Sequence, residues 1–252
     1  MRIAVMVSFY NRPDLLDLCL YSLSLQLCKP DQIILLDDCS DVPPPSGYKI
    51  DMHIRRKEHK GFGKERIANR ALMLTDCVYF IIVDQDCVFD NTWLALHDCY
   101  AGDADFIYSM YTSLRPEENT LVTKQTIEDR SIWKTIPRGY ESEPQVWCGA
   151  GSGARVEDAL AINGFDNRLG LTGTDYNFGL RLMRKGLTSD HFCKYGRYLH
   201  LWHEKPWSAD KEDYRSGNKA EAIRLAALWA NESIITPQGI AQLDLDEFEV
   251  RT

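Results

Sequence analysis

A chain of 252 residues, 44% hydrophobic and 26% charged, has the composition of an ordinary globular protein and is long enough for one sizeable α/β domain or two small ones. Its net charge of −8 argues against a nucleic-acid-binding surface, which is usually basic. The 8 cysteines form no CxxC pair, and there is no 18-residue apolar span and no signal peptide. The expectation is reduced thiols in a soluble, cytoplasmic protein with no transmembrane segment.

In chain order, residues 3–9 (IAVMVSF) predict a first strand. Asn11 is placed to cap a helix opened by Pro13 and Asp14, with Leu16, Leu20, Leu23 and Leu27 on one face. Residues 32–36 predict a second strand that runs into Asp37 and Asp38, and a proline turn at 43–45 leads to a short extended segment over 48–54. Residues 61–75 read as helix. Residues 78–83 (VYFIIV) form an unbroken apolar run, the signature of a strand buried on both faces. Asp90 is a natural cap for the helix that starts near Thr92. A strand is expected over 106–110, a loop-rich insert over 111–145, and close backbone approach at Gly149, Gly151 and Gly153. A helix over 176–185 is closed by Gly186, an amphipathic helix covers 210–232, and the acidic residues 244–249 read as a solvated end. Strands alternating with helices imply a parallel, Rossmann-like sheet, yet no G-x-G-x-x-G follows the first strand.

The chemistry concentrates where the buried run ends, at Asp84-Gln85-Asp86. Residues two apart on an extended chain face the same way, so both carboxylates can converge at the carboxyl end of a strand, where open α/β sheets bind ligands. Two carboxylates facing one way need a cation nearby, which points to a divalent metal and a phosphate-bearing partner. The competing reading is a turn or a helix cap, although Asp90 already fills that role. A helix-loop-helix calcium site is excluded, because Phe89 and Ala95 stand where its glycine and glutamate belong.

Four ordered blocks carry a family likeness: Val7-Ser8-Phe9-Tyr10-Asn11-Arg12, Leu36-Asp37-Asp38-Cys39-Ser40, Asp84-Gln85-Asp86, and Asn163-Gly164-Phe165-Asp166 followed by Gly173-Thr174-Asp175 and Gly179-Leu180-Arg181-Leu182. The chain resembles the inverting glycosyltransferases of family 2. The resemblance implies a single GT-A domain over 1–207, with a Rossmann-like nucleotide-binding half (1–110), an acceptor half (111–207) and a mixed central sheet flanked by helices. Residues 208–252 would add a helix and the acidic tail.

The resemblance further implies that Ser8 and Tyr10 line a nucleotide pocket, with Tyr10 stacking on the base. Asp38 would accept a hydrogen bond from the base, which favours a UDP-sugar. Asp84 would hold the ribose or the metal, Asp86 and His203 would be metal ligands, and Asp175 would be the catalytic base. Arg12, Lys64 and Arg66 could meet phosphate, with surface charge as the alternative for each. The cation would be Mn²⁺ in preference to Mg²⁺, since an imidazole joins the carboxylates.

Some alternatives stay open. His200 competes with His203, because residues three apart on a strand face opposite ways. A zinc site of His191, Cys193, His200 and His203 fits no standard spacing. Asp175 could be a helix cap whose pKa the helix end lowers. Trp202 and Trp207 could stack on a sugar or pack a core. The sequence departs from the family at Thr174, where a glutamate is common, and in the helix before Asp84, where the usual arginine is displaced to Arg66 or Arg70. The sugar and the acceptor are not legible. The competing functions are a nucleotidyltransferase, which would want a glycine-rich phosphate loop after the first strand, and a non-catalytic sugar-binding module.

Overall fold

The computed structural model describes residues 1–61, 63–101, 103–109, 111–137, 146–169, 173–191, 197–204 and 219–252. The first half runs β1 (Ile3–Phe9), α1 (Pro13–Ser24), β2 (Gln32–Asp37), β3 (Met52–Arg56), α2 (Lys64–Leu74), β4 (Tyr79–Val83), β5 (Cys87–Phe89), α3 (Trp93–Tyr100) and β6 (Phe106–Tyr108). It continues with β7 (Thr112–Ser113), three short helices α4 (Pro116–Asn119), α5 (Lys124–Glu128) and α6 (Ile132–Thr135), β8 (Ser152–Arg155), α7 (Val156–Ala161), α8 (Thr174–Arg184), β9 (Ser189–His191), β10 (Tyr198–His200), α9 (Lys219–Glu232) and β11 (Phe248–Arg251).

The main sheet has the order β11-β3-β2-β1-β4-β8-β6-β9. Strands β3, β2, β1 and β4 are parallel, whereas β8 is antiparallel to β4 and β6. The mixed α/β sheet expected from the sequence is therefore present. Side-chain alternation divides its core into two layers. Ala4 and Met6 of β1 join Phe80 and Ile82 of β4 on the face covered by α2, α7 and α8. Val5, Val7, Ile81 and Val83 join the opposite face, under α1 and α3. These strands are fully buried, each large apolar side chain contributing about 1.5–3 kcal/mol. A second, three-stranded sheet, β5-β10-β7, covers a third apolar cluster with α5 and α6, so the described part of the expected loop-rich insert, 111–137, includes short helices.

Several sequence expectations need correction. Arg12, not Asn11, is the first residue before α1, and Asn11 takes a left-handed backbone (φ 51°). Gly173 precedes α8, so Asp175 lies inside its first turn instead of capping it. The acidic segment is no frayed end. Phe248 is buried in the core, and β11 pairs antiparallel with β3 along Phe248↔Arg56 to Arg251↔His53. Hydrophobic content at Phe248 and Val250 was outweighed in the sequence by the surrounding charge. Strand β8 pairs with β4, and β11 with β3. The α9 helix is tied to α8 where Asn177 Nδ2 donates to the Ala226 carbonyl (2.9 Å). Its expected first part, 210–218, lies outside the described residues, as do Trp207 and Cys193.

Candidate active site

The parallel strands deliver the site. Tyr10, Asp38 and Asp84 each follow the carboxyl end of β1, β2 or β4, three neighbouring strands in register. Gln85 locks two of these ends together: Tyr10 N–H donates to its Oε1 (3.0 Å), and its Nε2 donates to the Tyr10 carbonyl (3.3 Å).

Among the described residues, the charged partners of the Asp84 and Asp86 carboxylates differ. Asp84 Oδ1 accepts from Ser8 Oγ (2.9 Å) and from Lys64 Nζ (2.6 Å). Lys64 opens α2, its side chain is 8% exposed, and its Nζ also donates to the Gly149 carbonyl (2.8 Å). Burial works against the Lys64 ammonium, but Asp84, Asp175 and Glu65 around it raise its pKa above the ordinary lysine value. The cation that the aspartate pair requires is thus, for Asp84, a lysine of the protein. Among the described residues, the group that could hold a metal ion does not include Asp84.

That group is Asp86, His200 and His203, whose donor atoms lie within 4.8 Å of one another. His203 Nε2 is 2.7 Å from Asp86 Oδ2, and His200 Nε2 is 3.4 Å from Asp86 Oδ1. Both histidines reach the same carboxylate, against the expectation that only one would. The alternation rule fails because the chain leaves the strand after His200. β10 pairs with β5 so that His200 faces Cys87, beside Asp86; the segment then turns, pinned where Trp202 N–H donates to Asn119 Oδ1 (2.8 Å). Burial pushes Asp86 up, but the two histidines outweigh it and hold its carboxyl below the ordinary value. The hydrogen bond to Asp86 raises His203 in return. One carboxylate and two imidazoles form a donor set that suits a divalent cation.

Asp175 closes the other side. Its Oδ2 accepts from the Gly149 N–H (3.0 Å), and Lys64 stands between it and Asp84. Gly149 allows this approach: a Cβ there would lie 2.7 Å from both Asp175 oxygens and 2.9 Å from Lys64 Nζ. Burial pushes the Asp175 carboxyl above its ordinary value; Lys64 opposes, and Asp84 adds to the rise. The helix end expected to lower it does not prevail. Glu65, the next residue of α2, is also buried, which pushes its carboxyl up to about 8.

On the β2 side, Asp38 is held by Arg56, whose Nη1 donates to Oδ1 (2.6 Å), and by the Gly63 N–H, which donates to Oδ2 (2.9 Å). Burial raises the Asp38 pKa in spite of Arg56. The His59 ring stacks on Tyr10 at 4.5 Å between centroids and 14° between planes. Arg66 pairs through its Nε and Nη2 with Glu247. Arg12 donates through Nη2 to the Glu204 carbonyl and, with Leu15, Asn119, Trp202 and His203, borders a pocket of about 430 Å³ beside the histidine pair. Trp202 is 42% exposed there.

Arg56, His59 and Glu247 were not singled out in the sequence. An arginine at the end of β3 gives no local signal of its partners, and Glu247 lay in a segment read as solvated. Other family-like positions are structural. Asn69 is buried and bonded to Phe165 in both directions, and Arg181 donates to the carbonyls of Ile162 and Gly164.

Comparison with known proteins agrees with this geometry. The family model described as Glycosyl transferase family 2 matches residues 4–153. Among solved structures, S. aureus TarS 1-349 in complex with UDP-GlcNAc is similar at 15% identity and a TM-score of 0.63, over 90% of this chain and 66% of that one. GalNAc-T7 with UDP, GalNAc and Mn²⁺ is similar at 13% identity and a TM-score of 0.64, over 92% of this chain and 49% of that one. The chain spans about 65% of TarS 1-349 in its uncomplexed structure. At these identities the likeness shows the fold, which is GT-A. No curated protein matches by sequence. No helix among the described residues is long and apolar enough to cross a membrane.

Proposed function

The chain belongs to glycosyl transferase family 2, and from that premise we propose that it is an inverting, metal-dependent glycosyltransferase that takes a UDP-sugar as donor. The observation that carries the reading is the arrangement at the carboxyl ends of β1, β2 and β4, where a histidine–aspartate group and the half-buried Asp175 flank the Lys64–Asp84 pair. The TarS complex with UDP-GlcNAc and the GalNAc-T7 complex with UDP and Mn²⁺ support the donor class and the cation.

Tyr10 provides a stacking surface for the base, and Asp38 accepts a hydrogen bond from a base N–H. Ser8 and Asp84 sit where the ribose would lie, with Lys64 fixing the Asp84 carboxylate. Asp86, His200 and His203 would hold the divalent cation, Mn²⁺ in preference to Mg²⁺; when bound it neutralises charge gathering on the departing diphosphate. Asp175 takes the proton from the acceptor hydroxyl. The new C–O bond forms at the anomeric carbon as its bond to the diphosphate oxygen breaks, and the nucleoside diphosphate leaves with the electron pair. Attack from the face opposite the leaving group inverts the centre. A carboxyl raised above its ordinary value is the better base for a hydroxyl, which is what burial gives Asp175. The pocket beside His203, with Trp202 at its edge, offers an aromatic platform for a sugar ring.

Isothermal titration with a panel of nucleoside diphosphates, with and without Mn²⁺, tests the reading. Tighter binding of UDP in the presence of Mn²⁺ is expected. Failure to bind any nucleoside diphosphate under either condition overturns it.

A further inference from the structure

The segment that closes the main sheet carries a side chain with a role in the nucleotide pocket. Arg56 lies at the end of β3 with its side chain 2% exposed. Its guanidinium forks: Nη1 donates to Asp38 Oδ1 (2.6 Å) and to the Gly61 carbonyl (2.9 Å), and Nε donates to Glu247 Oε1 (3.1 Å). Glu247 takes a second guanidinium, Arg66, whose Nη2 donates to Oε2 and whose Nε reaches both carboxylate oxygens (3.2 Å each). Its own backbone is fixed as well, because Lys57 N–H donates to the Glu247 carbonyl (3.0 Å) and β11 begins at the next residue. Gly63 completes the arrangement. Its N–H holds Asp38 Oδ2, and a Cβ at that position would fall 1.9 Å from Arg56 Nη1.

We propose that Glu247 is a positioning residue that acts through Arg56 to orient the Asp38 carboxylate, and thereby sets which base the pocket accepts. The inference rests on the nucleotide-sugar reading above. Two anchors on different oxygens fix the plane of the Asp38 carboxylate. Each oxygen keeps further acceptor capacity, so an ionised Asp38 reads a base that presents a ring N–H and rejects one that presents a bare ring nitrogen there. Uracil carries such an N–H; cytosine, of the same size, carries an acceptor at the equivalent position. Charge balance makes the relay coherent, since two carboxylates (Asp38, Glu247) meet two guanidiniums (Arg56, Arg66). Removing Glu247 leaves Arg56 Nε without its acceptor and frees the fork that aims Asp38. The segment that supplies Glu247 lies outside residues 4–153, the part matched by the family model.

The test compares UDP and CDP binding, in the presence of Mn²⁺, for the wild type, Glu247→Ala and Glu247→Gln, with the melting temperature and Mn²⁺ affinity measured alongside. For Glu247→Ala the UDP-over-CDP preference falls about tenfold, KM for the uridine donor rises by a similar factor, kcat moves much less than KM, and Mn²⁺ affinity is unchanged. Glu247→Gln, which keeps one acceptor oxygen and the shape of the side chain, shows a smaller loss in the same direction and guards against an alanine variant that fails to fold. A wild type that prefers UDP, with variants that keep that preference while losing only melting temperature, overturns the relay alone. A wild type that binds neither nucleotide overturns the nucleotide-sugar reading, and the relay with it.

Discussion

Asp84 and Asp86 stand two residues apart at the end of one buried strand, yet they belong to different electrostatic settings. Asp84 faces Ser8 and the Lys64 ammonium, a permanent internal counter-charge that also stands between it and Asp175. Asp86 faces two histidines, side chains whose ring nitrogens could join it in holding a metal ion. One aspartate is fixed by the protein itself; the other is equipped to hold something added. Sequence spacing tells that carboxylates converge, but the partner each meets decides its chemistry.

The comparison can be broken most sharply at Asp175. Asp175→Asn should lower kcat by about 10²–10⁴-fold while UDP and Mn²⁺ binding persist. In the wild type the acid limb of the pH–rate profile should lie above the ordinary carboxylate range, because burial raises Asp175, with activity appearing as pH rises through that limb. A profile that still shows this limb in the variant would assign it elsewhere.

Lys64→Met tests whether Asp84 depends on its internal cation. Removing the buried ammonium leaves the half-buried Asp84 without its counter-charge and takes away a positive charge that acts on Asp175, so unfolding should become easier by about 1.5–3 kcal/mol, read by denaturant titration. A small change would mean that water replaces the lysine.

The two aspartates can then be separated directly. Asp86→Ala should weaken Mn²⁺ binding by about a hundredfold, measured by titration or electron paramagnetic resonance, whereas Asp84→Asn should leave it nearly intact and reduce turnover. Equal losses in both variants would restore a shared metal site.

A pH-dependent effect is expected at Glu65, whose carboxyl is pushed by burial up to about 8 from an ordinary 4.5. A raised carboxyl stabilises the fold fully below about 4.5 and loses that contribution as pH rises through about 8. Glu65→Gln cannot ionise, so its melting temperature should gain on the wild type across that window, by about 2–4 °C per kcal/mol recovered. A constant difference between pH 4.5 and 8 would place the titration elsewhere.

Much of this was legible in the chain. The apolar runs at 3–9, 32–36 and 78–83 fix three adjacent strands, because only an unbroken run of β-formers suits a strand covered on both faces. Tyr10, Asp38 and Asp84 then follow as residues just past the strand ends, and Asp175 as an acid at a helix start. The reading failed where local rules stop applying. His200 and His203 defied strand alternation because the strand ends between them, and nothing local announced that Arg66 pairs with Glu247, 181 residues distant.

By itself, then, the sequence determined the layered sheet, the end of it that carries the chemistry, and the acids gathered there, since these follow from periodicities of two and 3.6 residues acting over short spans. Only the tertiary structure decided that Lys64 neutralises Asp84, that both histidines serve Asp86, and that Glu247 reaches the Asp38 pocket. Each of those pairings joins segments far apart in the chain, and no local spacing encodes which distant charge a folded backbone will bring to within hydrogen-bonding distance.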